Sequence, residues 1–335
     1  MRFGSVPVRQ AQGALLAHSV ALPSRRLRKG VALEVQDLDD LAAAGIHEVV
    51  VAQLDEGDVD ENEAARRLAR ALIGGAQGIS LTKAFTGRVN IVAAEPGIAR
   101  IDAGAIDAVN GCDPMITCAT VPPLARLEAG NLIATIKIIS YAVSESALSK
   151  AERFAAHVDV AVGLHPVQVR TARLIVTETA AAPSSEKGIA ATRARLERLG
   201  MSLAAVTQVP HQATEIARAL SETSEDLCLI LTASATSDAF DVAPEGLRHV
   251  GGRVIRFGMP VDPGNLLFLG THAGRPVIGL PGCARAPALN GADFVLERMA
   301  CGLEVTDADI AGMGVGGLLK EIPQRPQPRR GPEKT

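Results

Sequence analysis

The sequence predicts an α/β fold, with a doubly wound, mostly parallel sheet in the C-terminal part and a mixed α+β region before it. Two observations support this fold class. From Arg173 onward, short apolar segments alternate with amphipathic segments of helical length, and such alternation is typical of parallel strands joined by helices. Gly, Pro or small polar residues separate the segments, and these residues end helices and form turns.

The C-terminal part contains strand and helix candidates in regular succession. Pro244 favours the first turn of one helix, because its fixed φ and missing N–H suit that position. The strand candidates are RLIVTET, LAAVTQV, LCLILTAS, RVIRFGM, LLFLG and RPVIGLPG. The helix candidates are residues 187–199, 211–220, 288–301 and the segment that begins at Pro244. This order implies a sheet covered by helices on both faces.

The preceding region has a less regular pattern. Asp37 is predicted to cap a short helix that ends at Gly45, and residues 46–52 form a strand candidate. Residues 58–73 predict an amphipathic helix whose acidic N-terminal end complements the helix dipole. The other candidates are strands at residues 88–93, 115–120 and 132–141 and a helix at residues 144–157.

Glycine clusters and changes of composition divide the chain into four predicted segments. The length of 335 residues is about twice that of a usual single domain. The chain ends in PQRPQPRRGPEKT, whose prolines and charges predict an extended or disordered segment. The segments are an α+β subdomain at 1–78, a β-rich subdomain with a linker at 79–168, an α/β domain at 169–304 and a tail at 305–335.

The composition argues against nucleic acid and membranes as partners. The net charge is −3 at pH 7, so no basic field attracts phosphate backbones or anionic lipids. Aromatic residues make up 2% of the chain, which argues against the stacking platforms that bind single strands. No apolar run approaches the ~20 residues that cross a bilayer, and the N-terminus lacks a signal-peptide pattern.

The cysteines point to a reducing compartment. The chain has five, an odd number, and no C-x-x-C pair. Neither a disulfide framework nor a structural zinc site is therefore predicted, and reduced thiols fit better. Together with the missing signal peptide, this predicts a cytoplasmic protein.

Three loops are candidates for ligand binding, since ligands of open parallel sheets bind beyond the carboxyl ends of the strands. The first, TASATSDAFD, has small side chains that let a ligand approach the backbone, and its hydroxyl and amide groups suit a phosphate. A plain β–α turn is the alternative. The candidate binding residues in this loop are Thr232, Ala233, Ser234, Ala235, Thr236 and Ser237.

The second and third loops each contain a Pro-Gly turn. Arg285 supplies a positive charge that can pair with a ligand phosphate; a solvated arginine at a helix start is the alternative. Cys283 is either a contact to the ligand or its metal, or a half-buried thiol. The candidate binding residues are Pro263, Gly264 and Asn265 in the second loop and Pro281, Gly282, Cys283 and Arg285 in the third.

Asp241 ends the first loop, where its carboxylate can hold Mg²⁺ or position a substrate group at a phosphate site. A helix cap is the alternative role for this residue. From the residues alone, the three loops predict an anionic or nucleotide-like ligand and no more.

These loops resemble the molybdopterin-binding domain shared by molybdopterin adenylyltransferases and molybdopterin molybdotransferases. That family has a Thr/Ser-Gly-Gly loop with an Asp nine residues on, and Thr232 and Asp241 have this spacing. The molybdotransferases add a Lys-Pro-Gly-Lys turn and then Gly-Leu-Pro-Gly-Asn-Pro. DPGN at 262–265 and GLPGCA at 279–284 occupy those places in the same order. Residues 6–51 also resemble other domains of the molybdotransferase.

The resemblance implies molybdopterin, or a nucleotide form of it, as the ligand and Mg²⁺ as a metal. It implies a catalytic and metal-binding role for Asp241. It also implies a homo-oligomer, since partner subunits often complete the pockets of this family. Other cofactor-biosynthesis enzymes or molybdoenzymes are the protein partners that it suggests.

The chain also departs from the family pattern. Ala233 and Ser234 replace the loop glycines, and Asp262 and Asn265 replace the two lysines of the turn. Lys187 is the residue that can restore a phosphate contact. Pterin binding is therefore implied more strongly than transfer of molybdate or a nucleotidyl group. The alternatives are a non-catalytic carrier or sensor of the cofactor and an unrelated nucleotide-binding α/β protein.

Overall fold

The structure is a computed structural model that describes residues 1–180 and 184–319. The chain divides into two compact units. The first is Met1–Glu95 with Ala99–His165, and the second is Pro96–Ile98 with the described residues from Pro166 onward. The segment PQRPQPRRGPEKT, predicted to be extended or disordered, lies outside the described residues. No helix in the described ranges is both long enough and apolar enough to cross a bilayer.

Residues 1–166 form short strands and helices. The strands are β1 (Arg2–Pro7), β2 (Leu15–Leu16), β3 (Val20–Ala21), β4 (Arg26–Leu27), β5 (Glu48–Gln53), β6 (Asp58–Asp60), β7 (Ile79–Leu81), β8 (Arg88–Ala93), β9 (Gly97–Ile101), β10 (Ile116–Thr120), β11 (Arg126–Leu127), β12 (Leu132–Ile138), β13 (Ala142–Ser144) and β14 (Val162–Pro166). The helices are α1 (Val35–Ala43), α2 (Glu61–Ile73), α3 (Ala103–Asn110) and α4 (Glu145–Ala155).

The first unit has two apolar cores. In one, α1 packs with the antiparallel sheet β1-β5-β2, and Leu16, Leu41 and Val51 are buried there. In the other, α2 packs on the four-stranded sheet β10-β12-β8-β7 and buries Leu68 and Ile136 among others. Helix α2 therefore shares a core with the strands β7, β8, β10 and β12, which follow it in the chain. The predicted segment boundary after residue 78 falls between this helix and these strands.

The start of α1 differs from the prediction by one turn. Glu34 is the N-cap residue, and Asp37 lies inside the first turn, where its carboxylate accepts a hydrogen bond of 2.8 Å from the Glu34 N–H. The same carboxylate lies 2.8 Å from Arg25 Nη2. The predicted N-cap at Asp37 is therefore wrong, because its side chain acts as the second half of a capping box rather than as the cap.

The second unit contains a six-stranded sheet of order β16-β15-β17-β20-β19-β18. The first four of these strands are parallel, and β19 and β18 are antiparallel at one edge. This confirms the predicted α/β class with a mostly parallel sheet. The strands are β15 (Thr171–Glu178), β16 (Ser202–Pro210), β17 (Leu227–Leu231), β18 (Arg253–Phe257), β19 (Phe268–His272) and β20 (Arg275–Leu280). The helices are α5 (Glu186–Arg198), α6 (Ala213–Ser221), α7 (Val242–His249), α8 (Gly291–Ala300) and α9 (Asp307–Ala311).

Residues 305–319, the described part of the predicted tail, form a helix and hydrogen bonds within the second unit. Thr306 caps α9 through a hydrogen bond to the Asp309 N–H, and Ile310 is fully buried. Asp262 donates its N–H to the Gly317 carbonyl at 2.8 Å, and its own carbonyl accepts from Leu319 at 2.9 Å. The segment after α9 therefore runs beside the Asp262 turn.

A buried arginine organises the loop that follows β20. Residues Gly188, Ala191, Thr192, Arg195 and Leu196 form the buried face of α5. Arg195 is 3% exposed, and its Nε donates to Asp293 Oδ1 at 2.7 Å. Its Nη1 and Nη2 donate to the carbonyls of Ala284 and Ala286 at 2.7 and 2.8 Å. Every nitrogen of this buried guanidinium therefore has an acceptor, which is the condition for a stable buried charge.

Replacing this arginine tests how much the cluster contributes to stability. We expect Arg195→Met to lower the free energy of unfolding by about 3–5 kcal/mol, because Asp293 would remain as an unpaired buried charge. Urea unfolding followed by circular dichroism measures the change. Arg193→Met is the matched control, since Arg193 is exposed on the same helix, and its effect should stay within about 0.5 kcal/mol. Equal effects of the two substitutions would contradict the assignment.

Candidate functional site

The candidate site lies where three parallel strands end. Strands β15 and β17 run in register with Val176 opposite Leu231, and β17 runs in register with β20 so that Leu231 faces Leu280. The residues that follow these positions therefore meet at one edge of the sheet. This is the edge at which open α/β sheets bind ligands.

Thr177 anchors the start of the first loop. Its side chain is buried, and its Oγ1 accepts a hydrogen bond of 2.8 Å from the Ala233 N–H. The same oxygen lies 2.9 Å from Nδ1 of His211. Neither Thr177 nor His211 was singled out from the sequence; the available signal for Thr177 was a hydroxyl directly after the apolar run 174–176, near the end of the strand. The Ala233 amide is consequently used inside the protein.

Arg285 joins the first loop to the third. Its Nη2 donates to the Thr232 carbonyl at 2.7 Å. Its Nη1 is buried and has no hydrogen-bond partner among residues 1–180 and 184–319. Burial lowers the pKa of the Arg285 guanidinium below its ordinary value. A buried donor of this kind is rare without a partner, so this nitrogen marks a place where an acceptor belongs.

Gly188 allows Arg285 to lie close to helix α5. A Cβ atom on Gly188 would be 2.5 Å from Leu231 Cδ2 and 3.3 Å from Arg285 Cγ. The helix therefore approaches the end of β17 at a distance that a larger residue would prevent. The sequence shows this glycine inside a helical segment, where an isolated glycine often indicates a close approach.

A groove of about 680 Å³ lies beside Arg285, within the volume range of small-molecule sites. Arg285 and the exposed Lys187 contribute positive charge to the lining of this groove. Most other lining groups are methyl groups and backbone. The lining residues are Ser184, Lys187, Gly188, Ala190, Ala191, Ala194, Arg285, Ala286 and Pro287. The structure thus brings the predicted residues Lys187, Arg285 and Thr232 together.

Asp241 caps helix α7. Its Oδ2 accepts from the Ser237 N–H at 2.8 Å, and its Oδ1 accepts from the Val242 N–H at 2.7 Å. No cluster of three or more His, Cys, Asp or Glu residues suitable for a metal exists in the described ranges. Because Mg²⁺ prefers several oxygen ligands, this arrangement does not fit a magnesium ion held by protein side chains alone.

The remaining candidates in the first loop have mostly internal contacts. Thr236 is buried, with 6% of its surface exposed. Ser237 donates its hydroxyl to the Ala235 carbonyl at 3.2 Å. Ser234 and Ala235 are exposed. Hydrogen bonds of Ser237 with Ala235 and with Asp241 therefore close the second half of the loop, while Ala233 is bonded to Thr177 outside it.

The second loop packs against the start of helix α8. The Pro263 carbonyl accepts from the Gly291 N–H at 2.8 Å. Gly264 has φ of +146°, and a Cβ there would lie 2.8 Å from Gly291 Cα. Both Pro263 and Gly264 are buried, while Asn265 is exposed and donates to the Met259 carbonyl at 3.3 Å. Of the three predicted residues in this loop, Asn265 is the one with an exposed side chain.

The third loop begins with a short 3-10 turn, Gly282–Arg285, after the buried Pro281. Cys283 is exposed rather than half-buried, and its Sγ accepts a hydrogen bond of 3.0 Å from Asn290 Nδ2. Asn290 caps α8 together with Asp293, the partner of Arg195. Gly282 is exposed, and no neighbouring atom lies within 4 Å of a Cβ built there.

Two supporting features of the third loop were missed in the sequence. Asn290 and Asp293 form a capping box, which the spacing of a cap residue and an acidic residue three positions later can indicate. Arg195 lies on the apolar face of α5, seven residues after Gly188, and helical periodicity places both residues on that face. Neither signal identifies the partner of the arginine.

Two regions of the chain match models of protein families. Residues 177–300 match the family model described as probable molybdopterin binding domain. Residues 5–53 match a domain of unknown function, DUF8806. No curated protein matches the sequence.

Solved structures of molybdopterin biosynthesis proteins are similar at low identity. The MoeA protein of Pyrococcus horikosii is 11% identical, with a TM-score of 0.32, over 91% of this chain and 76% of that one. A molybdenum cofactor biosynthesis protein of Pyrococcus furiosus is 14% identical (TM-score 0.25; 93% and 65% coverage). A molybdopterin biosynthesis protein of Mycobacterium abscessus is 18% identical (TM-score 0.28; 40% and 92%). These scores are too low to support a functional argument.

The family match covers the strand-end loops on which the predicted resemblance rests. It begins at Thr177, which anchors the first loop, and it ends at Ala300, the last residue of α8. All three candidate loops and the Arg285 groove, apart from residues outside the described ranges, fall within it. The predicted resemblance is therefore confirmed by the match of residues 177–300 to the model described as probable molybdopterin binding domain.

Proposed function

We propose that the second unit binds molybdopterin, or a nucleotide-linked form of it, in the groove beside Arg285, and that the chain acts in molybdenum cofactor biosynthesis. The observation that carries this proposal is the buried Arg285 Nη1 without an acceptor in the described residues. A phosphate oxygen is the natural acceptor, because arginine forms strong charge-assisted hydrogen bonds with phosphate.

The shape and charge of the groove support the same ligand. Lys187 adds a second positive charge to the lining of the groove. The alanine methyl groups of α5 offer an apolar wall for the flat pterin rings. Cys283 lies in the same loop as Arg285 with an exposed thiol. The ligand would therefore be held by its phosphate at Arg285, with the ring system along α5.

A carrier or sensor without transfer activity is the second candidate. The turn at residues 262–265 has Asp262 and Asn265 where a transferase needs positive charge to offset charge that develops on phosphate. Asp241, the candidate catalytic residue, uses both carboxylate oxygens to accept backbone N–H groups. If the chain is an enzyme, transfer of molybdate or a nucleotidyl group onto molybdopterin is the reaction that we propose. Its cytoplasmic location and homo-oligomeric state remain predictions.

Removal of the Arg285 charge tests the binding site. We expect Arg285→Gln to weaken molybdopterin binding about 10- to 100-fold, since a hydrogen bond to a charged group contributes about 1.5–3 kcal/mol. Fluorescence of the oxidised pterin retained after gel filtration measures the bound fraction. Arg253→Gln is the matched control, because Arg253 is exposed on the edge strand β18. Wild-type retention by Arg285→Gln, or a bound common nucleotide in place of pterin, would contradict the proposal.

Thiol labelling provides a test that needs no substitution. We expect Cys283 to react first with an alkylating reagent at mildly alkaline pH, because it is exposed. Burial raises the pKa of Cys118, Cys228 and Cys301 to about 12, so their thiolate fractions stay small. Molybdopterin should slow the labelling of Cys283, as followed by mass spectrometry of peptides. An unchanged rate with bound pterin would place the ligand elsewhere.

A turnover assay separates the carrier from the transferase. The pure protein is incubated with adenylylated molybdopterin, molybdate and Mg²⁺, and AMP is measured by chromatography. We expect tight binding without AMP release, because the turn at residues 262–265 lacks the two positive charges. Release of AMP above the rate in buffer would instead establish the transferase, and Asp241→Asn would then show whether this carboxylate takes part.

A further inference from the structure

A cavity of about 400 Å³ lies within the first unit and is lined by residues of that unit only. Its volume falls within the usual range of small-molecule sites. Charged, hydroxyl and aromatic side chains share its lining, which includes Lys29, Glu61, Thr86, Lys137, Ile139 and Tyr141. Neither the sequence motifs nor the molybdopterin-binding family match covers these residues.

The charges around this cavity are unbalanced. Two lysines and one glutamate line it, which leaves one excess positive charge. Lys137 Nζ donates to the Thr86 carbonyl and lies 3.8 Å from Glu61 Oε2. Lys29 Nζ lies 5.6 Å from the centroid of the Tyr141 ring, and no carboxylate of the described residues forms an ion pair with it. An anionic ligand would restore the balance.

Glu61 provides an acceptor inside the cavity. Its side chain is 18% exposed, and burial raises the pKa of the carboxyl group although Lys137 and Lys29 oppose this shift. The Glu61 N–H, at the first residue of α2, donates to the Tyr141 carbonyl at 3.0 Å. This bond fixes the backbone from which the Glu61 side chain extends, and the carboxylate oxygens can accept hydrogen bonds from hydroxyl groups of a ligand.

The turn at Thr86 and Gly87 is fixed in an unusual backbone conformation. Thr86 has φ of +47°, in the left-handed region that non-glycine residues rarely adopt. Gly87 has φ of +69°, and a Cβ there would lie 2.8 Å from both Glu61 Oε2 and the Ile138 carbonyl. In the same turn, the Thr86 carbonyl accepts a hydrogen bond from Lys137 Nζ. Such strain is concentrated at ligand sites.

Tyr141 connects two parts of the cavity wall. Its hydroxyl donates to the Ala17 carbonyl at 2.9 Å, and its ring is stacked with that of Phe3, with centroids 6.4 Å apart. The ring is thereby fixed against the N-terminal segment that carries Lys29. Lys29 itself lies within residues 5–53, the region that matches a domain of unknown function.

We propose that this cavity is a second binding site, for a small organic molecule that carries a phosphate group. The ammonium groups of Lys29 and Lys137 bind the phosphate, since lysine binds phosphate as a point charge. Glu61 accepts a hydrogen bond from a hydroxyl group of the organic part. The site would give residues 5–53 a role in ligand recognition.

The intrinsic fluorescence of the chain reports on this site. The sequence has no Trp and a single Tyr, which is Tyr141. Titration of the full chain with ribose 5-phosphate should change the tyrosine emission in a saturable way. Inorganic phosphate should bind more weakly, because it lacks the organic hydroxyl groups that reach Glu61. We expect Lys29→Met and Lys137→Met each to weaken ribose 5-phosphate binding about tenfold.

Matched variants separate this site from other effects. Lys150 lies 5.9 Å from the Phe154 ring in the same unit, so Lys150→Met removes a comparable lysine outside the cavity and should bind normally. If Lys137→Met does not fold, as judged by circular dichroism, Lys29→Met decides, because the Lys29 side chain is exposed.

Three results would overturn the proposal. The first is the absence of a saturable change beyond that caused by sodium chloride at the same ionic strength. The second is unaltered binding of ribose 5-phosphate by folded Lys29→Met. The third is equal affinity for inorganic phosphate and ribose 5-phosphate, which would exclude a contribution from Glu61.

Discussion

The ion pair and hydrogen bonds of the buried Arg195 guanidinium are the interactions on which the strand-end loops of the second unit depend. Its ion pair with Asp293 neutralises its charge, and two of its nitrogens bind the carbonyls of Ala284 and Ala286. These are the residues on either side of Arg285. A buried ion pair offsets its desolvation cost only when its remaining hydrogen bonds are formed. The loop backbone supplies these bonds and is itself held in one conformation.

The two arginines differ in a way that explains their roles. Every nitrogen of Arg195 has an acceptor within the protein, so its hydrogen bonds contribute to the stability of the fold. Arg285 donates one hydrogen bond, from Nη2 to the Thr232 carbonyl. Its Nη1 is buried and has no hydrogen-bond partner in the described residues. Because Asp293 neutralises Arg195, the two like charges repel each other less. The positive charges that remain without a carboxylate partner in the described residues are those of Arg285 and Lys187 at the groove.

The sequence was sufficient to predict the fold class of the second unit and the three strand-end loops. Strong alternation of apolar and amphipathic segments identifies β17 and its neighbours, and the loop spacing identifies the family. Arg195 could not be placed, because a charged residue on an amphipathic helix is assigned to the surface unless its partner is known, and Asp293 follows 98 residues later. The cavity of the first unit could not be predicted either, because its residues Lys29, Glu61 and Lys137 come from segments that are distant in the sequence.

Helix α5 contacts both the third loop, through Arg195, and the groove beside Arg285, through Gly188. Gly188 and Arg195 lie two turns apart on its buried face, the first against Arg285 and the second against Asp293. A shift of the helix would therefore disturb the ion pair and the groove together. A molecule that binds at Arg285 in the native state alone would therefore stabilise this unit by an amount that grows with the logarithm of its concentration over its dissociation constant. Under the proposed function, loss of the ligand from the cell would make the second unit easier to unfold and degrade.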